Sequence, residues 1–115
     1  MLKSFFGSNH HGYEFKFEGM TFDVDFWSHA NRRLRERLVN RSLVHDAIHR
    51  AIDDIIDCRL GQRFALISAD IKQIVIGFLK SEGADDYSIQ IVTLIDDDEL
   101  RNSDKYADTM EINVG

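Results

Sequence analysis

Residues 13–27, YEFKFEGMTFDVDFW, alternate apolar and polar side chains over a length that suits only extended chain. Tyr13, Phe15 and Phe17 fall on one side of it, and Glu14, Lys16 and Glu18 on the other. After Glu18-Gly19 the pattern resumes in phase, with Met20, Phe22, Val24 and Phe26 on the apolar side. A period of two broken by two turn residues predicts a β-hairpin in which Gly19 supplies the positive φ. Its apolar face is long and aromatic, so it must cover a core, and the rest of the chain has to supply the opposing layer.

Helices come next. Ala30, Leu34 and Leu38 recur at i, i+4 and i+8, predicting a short helix from an N-cap at Ser28 to about Leu38. Asn40 or Ser42 caps a second helix over about 42–58, whose stripe of Val44, Ala47, Ile48, Ala51, Ile52, Ile55 and Ile56 is the strongest helical period in the chain. Gly61 ends it. Three strands follow: 63–68, a turn at Ala69-Asp70, 72–79, the polar loop KSEGADD, and 87–95, rich in β-branched residues. Gly77 inside the second of these implies a bulge or a close approach of another backbone. Beyond DDDE (96–99) the period is lost, and the segment to 115 reads as irregular except for MEINV, a candidate edge strand. The expected architecture is α+β: an N-terminal hairpin, two helices and an antiparallel three-stranded meander (ββααβββ), with the helices on one face of the sheet.

At 115 residues, 43% of them hydrophobic, the chain makes one domain with a sufficient core, residues 1–11 and 97–115 being flexible or peripheral to it. No run approaches the roughly 20 apolar residues of a membrane span, and the opening MLKSFF is too soon interrupted for a signal peptide. Cys58, the sole cysteine, excludes an internal disulfide and fits a reducing compartment, so the expected location is cytoplasmic and no membrane partner is expected. The net charge of −6 argues against bulk coating of nucleic acid. The charge is uneven, however. Arg32, Arg33, Arg35, Arg37 and Arg41 face only Glu36, whereas Asp96 to Glu111 holds seven acids against Arg101 and Lys105. A local basic patch can still hold phosphate.

On a helix, His29, Arg33 and Arg37 form one row about 100° from the apolar row, bordering the groove between helix and sheet. Arg32 and Arg35 point further outward, and Glu36 is in reach of Arg32 or Arg33. Histidine has the intrinsic pKa for acid–base work, and arginine has the fork that grips phosphate at two points. Such a row suits ribonuclease chemistry, plain anion binding, or simply a helix border whose arginine stems shield the core edge.

The segment SHANRRLRER fits the pattern H-A-x-x-R-x-x-E-R at His29, Ala30, Arg33, Glu36 and Arg37. With its preceding strand, following helix and hairpin ending in IVTLI, it resembles a family of small bacterial and phage proteins grouped with the RelE/ParE toxin superfamily, over about residues 24–95. The resemblance implies a compact α+β domain acting as a messenger-RNA endonuclease or as an inhibitor of the translation or replication machinery. Its partners would be RNA or the ribosome, and a cognate antitoxin. His29, Arg33 and Arg37 would be the catalytic candidates, and Arg32, Arg35, Arg41, Lys72 and Tyr87 would contact phosphate or RNA. No cofactor is implied, because 2′-hydroxyl attack on phosphate needs none. The chain departs from the pattern in being acidic and in carrying an extra hairpin and an acidic tail. The rival expectation is a non-catalytic module, phage-encoded in one version, that binds a host protein through the aromatic hairpin and acidic surface, with homodimerisation through sheet edges.

Other signals are weaker. His45 and His49 stand at i and i+4, a zinc-chelating spacing that lacks further ligands in sequence, so no metal is expected. His10-His11 reads as a loop, Cys58 as a small core residue, and DDDE as a solvated strand terminator. A fold-back of the acidic tail onto the arginine patch, masking it, is a further expectation.

Overall fold

In the computed structural model, which describes residues 13–115, the alternating stretch forms β1 (Tyr13–Phe17) and β2 (Met20–Phe26). Both turn residues, Glu18 (φ 51°) and Gly19 (φ 81°), are left-handed, the I′ geometry whose twist matches the flanking strands. Residues 1–11, expected to be flexible, and the His10-His11 pair lie outside the described residues.

The first helix, α1 (Ser28–Glu36), has Trp27 rather than Ser28 as its N-cap, and no side chain caps it. It stops before Leu38 because Leu38 takes φ 54° and the chain closes a Schellman turn, Val39 N–H donating to Leu34 O (2.9 Å) and Leu38 N–H to Arg35 O (3.3 Å). Leu38 therefore leaves the apolar row and is 92% exposed. Asn40 caps α2 (Arg41–Arg50) by accepting from Ser42 N–H. The single long helix expected over 42–58 is two, since Ala51 (ψ 4°) separates α2 from α3 (Ile52–Ile56). Its stripe is nonetheless buried as the period requires, apart from the half-buried Ile56.

β3 (Arg63–Ser68) matches its expected bounds, while β4 (Ile74–Gly83) and β5 (Asp86–Ile95) extend into the polar segment read as a loop. The turn is only Ala84-Asp85, with Asp85 at φ 60°. Polar residues there are compatible with strand because Lys80 to Asp86 are solvent-exposed. The tail carries regular elements as well. DDDE is the start of α4 (Asp97–Asn102): Asp96 and Glu99 form a capping box, and the acids sit where a helix N-terminus favours negative charge. A 3-10 turn (Asp104–Tyr106) and β6 (Met110–Val114) follow, MEINV forming an edge strand as anticipated.

The antiparallel trio β3-β4-β5 is thus the middle of a larger, mixed sheet of order β1-β2-β5-β4-β3-β6, in which β2/β5 and β3/β6 are parallel. Two crossovers make those parallel pairs possible. α1–α3 carry the chain from β2 to β3 over one face, and α4 with the 3-10 turn carries it from β5 to β6 over the other. Since both run the same way across the sheet, they have opposite hands. Helices consequently lie on both faces, not one. The larger core joins Phe22, Val24, Phe64, Leu66, Ile89 and Ile91 to Ala30, Leu34, Val44, Ile48 and Ile55. The smaller one joins Ala65, Ile74, Ile76 and Ile95 to Leu100 and Tyr106. Burial raises the Cys58 thiol above its ordinary pKa, with help from Asp54 and Asp57. Its Sγ lies 3.5 Å from Met110 Sδ, so this small core residue packs against the last strand.

Candidate anion-binding site

A bulge in β5 prepares the site. The β4/β5 register passes from Gly77↔Ile91 to Ile76↔Thr93, leaving Val92 without a partner. Ile89 and Ile91 face α1–α3; after the extra residue Leu94 does so, and Thr93 and Ile95 turn to the α4 face. Gly77 lies opposite. A β-carbon there would be 2.6 Å from the Gln90 carbonyl oxygen, so only glycine lets the strands approach at the bulge.

Beside Val92 and Thr93 opens a cleft of about 240 Å³, lined also by His29, Arg33, Arg63, Glu99, Lys105 and Tyr106. Its charge is positive: Arg33, Arg63 and Lys105 against one carboxylate. α1 brings His29 and Arg33, β3 brings Arg63, and the tail brings Glu99, Lys105 and Tyr106. Tyr106 is buried, and the Arg63 guanidinium and Lys105 ammonium lie 5.7 and 5.9 Å from its ring centre. Arg63 also donates Nη2–H to Lys105 O (2.8 Å), which fixes the 3-10 turn on the sheet.

The predicted row of His29, Arg33 and Arg37 exists, but its members do different things. Arg33 donates to the Leu94 carbonyl (3.1 Å) and lies 3.9 Å from Glu99 Oε1. Arg37 donates to Gln73 Oε1 (2.5 Å) and lies 3.7 Å from the same Glu99 oxygen. Glu99 Oε1 also accepts the Asp96 N–H of the capping box (3.2 Å). The acidic tail does fold back on the arginine row, through this one carboxylate: Asp97 and Glu111 pair with Arg101 instead. His29 Nδ1 is 2.9 Å from Arg32 Nη2. A guanidinium N–H can only donate, so a hydrogen bond here has Nδ1 as its acceptor.

Glu99→Ala removes the reciprocal cap and the shared anion together, whereas Glu99→Gln keeps a capping-box residue and removes only the charge. In urea unfolding we expect the Ala variant to lose about 2 kcal/mol and the Gln variant about half of that, since the pairs are partly exposed. Equal losses would mean that the cap contributes nothing.

The other expected contacts are dispersed. Arg32 pairs with Glu36 (3.9 Å), and Arg35 is exposed. Arg41 donates to Asn31 Oδ1 (2.6 Å) and stacks on Phe26 (4.6 Å), and its guanidinium pKa is lowered by burial and by the charge of Arg35. Among the described residues its buried Nη1 has no hydrogen-bond partner, as suits a group held against a ring. Lys72 lines a separate hollow with Arg37, Leu38 and Leu43. Tyr87 lies at the far end of the sheet, stacked on Phe22 in an acidic hollow with Glu14, Asp23, Glu82 and Asp86. Its distance along β5 from Thr93, about 20 Å, separates it from the cleft. His45 stacks on Tyr13 (4.0 Å) and His49 packs on Phe15 (4.8 Å), and no group of three or more His, Cys, Asp or Glu among the described residues is arranged to hold a metal ion.

Arg63 and Lys105, the cations that complete the cleft, escape sequence reasoning. One opens an ordinary strand and the other stands within an acidic run; only the second crossover unites them. No family model, curated protein or solved structure matches this chain.

Proposed function

We propose that the protein is a RelE/ParE-like toxin-type domain that acts on RNA or on the translation machinery by gripping a phosphate in the cleft between α1, β5 and the 3-10 turn. The observation that carries this reading is the convergence of His29, Arg33, Arg63 and Lys105 on one hollow in a chain of net charge −6. Arg63 and Lys105 offer N–H groups to phosphate oxygens, and the His29 ring lines the same hollow. Arg33, already bonded to Leu94 O, sets the local field and fixes α1 against β5. The lining carries three cations against a single carboxylate, so phosphate binding is the better-supported activity. Cleavage would use His29 as the acid–base group.

The test measures binding of a single-stranded RNA, and cleavage of total RNA with and without ribosomes, by wild type, His29→Ala and Arg63→Glu/Lys105→Glu. We expect salt-sensitive binding that the double reversal weakens by about a hundredfold, as removal of phosphate contacts dictates. Glu99→Gln should tighten it. Undiminished binding in the double variant would refute the cleft. Cleavage abolished by His29→Ala would add catalysis to the assignment.

A second reading, a non-catalytic module for a host or partner protein, is favoured by the Leu38 turn. Leu38, Val39, Leu43 and Ile71 line a hollow of about 360 Å³, and Leu38 keeps a left-handed backbone while exposed. The aromatic hairpin does not serve that reading as expected, because Phe22 is buried and the rings of Tyr13 and Phe15 pack against His45 and His49.

A further inference from the structure

The outer edge of β1 is self-complementary. Phe17 and Met20 close a two-residue hairpin and therefore form a hydrogen-bonded pair, as do Phe15↔Phe22 and Tyr13↔Val24 by alternation. Glu14 and Lys16 then point their backbone N–H and C=O groups away from β2. Among the described residues no strand pairs with that edge. Both side chains are exposed, and neither belongs to an ion pair of the described residues.

We propose that the protein forms a two-fold dimer through β1, with Phe15 facing Phe15 of a second copy. YEFKF read antiparallel to itself about Phe15 sets Glu14 opposite the other copy's Lys16, and Lys16 opposite its Glu14. In that register Phe15 faces its mate as a non-hydrogen-bonded pair, and the two Glu–Lys pairs use the outward-pointing groups, as an antiparallel ladder demands. On the other face Tyr13 meets the mate's Phe17, an aromatic cross-strand pair. The charges are complementary too. Glu14 lies directly opposite Asp23 on β2 and shares a hollow with Glu82 and Asp86, so the mate's Lys16 arrives at an acidic surface.

The other free edge does not have this property. β6 read against itself about Ile112 pairs Glu111 with Asn113, without opposite charges. A β1-to-β6 contact would be head-to-tail, giving a ring or a growing fibre and not a two-fold dimer. Five residues on each side make a small interface, which implies a dissociation constant in the micromolar range.

Sedimentation velocity on the full chain from about 5 to 500 µM tests the proposal, with wild type, Glu14→Lys, Lys16→Glu and the swap Glu14→Lys/Lys16→Glu. The wild type should pass from monomer to dimer. Each single reversal places like charges opposite each other twice and should weaken association at least about tenfold. The swap restores both pairs and should return it to within about threefold. Only the two-fold register predicts that rescue. A monomeric wild type at the highest concentration, an unaffected Lys16→Glu, a swap no better than the singles, or growth beyond a dimer would each overturn it. Trp27 fluorescence confirms that every variant is folded.

Discussion

Gly77→Ala is expected to destabilise the protein by about 3 kcal/mol or more, a loss reserved for substitutions that overpack a core or strain a special backbone site. The added methyl would meet the Gln90 carbonyl oxygen at 2.6 Å, and Ile91 Cδ1 and Phe64 Cζ at 3.1 Å. A side chain can rotate away, but the Gln90 carbonyl belongs to the neighbouring strand and cannot move without opening the β4/β5 ladder. Urea denaturation read by Trp27 fluorescence gives the number. A loss below about 1 kcal/mol would show that the bulge absorbs a methyl group, and the close-approach explanation would fail.

Phe64→Ala is expected to cost about 3–5 kcal/mol, the usual range for deleting a buried ring and leaving a cavity. Phe64 is fully buried in the larger core, directly above Gly77. The two sites should couple. Without the ring, the methyl group introduced by Gly77→Ala loses one of its clashes and fills part of the cavity, so the double variant should lose less than the sum by about 1 kcal/mol. The Gln90 clash remains, so the double variant should still be less stable than Phe64→Ala alone. Strict additivity would mean that Phe64 and Gly77 do not share one space.

Much of this is legible along the chain. The hairpin, α1 and the α2–α3 stripe are written in local periods of two or 3.6 because each buries a single face, whereas the central strands read as short continuous apolar runs because both of their faces are buried. Where a second influence acts, the local signal misleads. Lys80–Gly83 are polar because they are solvent-exposed, and polarity alone reads as a loop. The acids at 96–99 serve a helix N-terminus, whose local signature, Asp96 with Glu99 three residues on, is outweighed by the charge count. Leu38 fits the apolar row by spacing but marks the point where the helix unwinds. The site is half readable: His29 and Arg33 share a helix row, which spacing reveals. Arg63 and Lys105 join them only through register, a bulge and a chain return over the opposite face, none of which leaves a periodic mark.

The parallel pairing of β3 with β6 also governs the timing of folding during synthesis. Once β3 has left the ribosome, β4 can close on it and β5 on β4. The other side of β3 remains an open ladder until Met110–Val114 emerge, with everything from β4 to the 3-10 turn made in between. A nascent chain therefore spends that interval with an apolar strand edge available to any other extended segment, the usual starting point of misassembly. Arrest shortly before codon 110 would leave a product with most of its helices and strands but with that edge unpaired. For this fold, pairing of Met110–Val114 replaces the open edge of an apolar strand with that of a short, mostly exposed one.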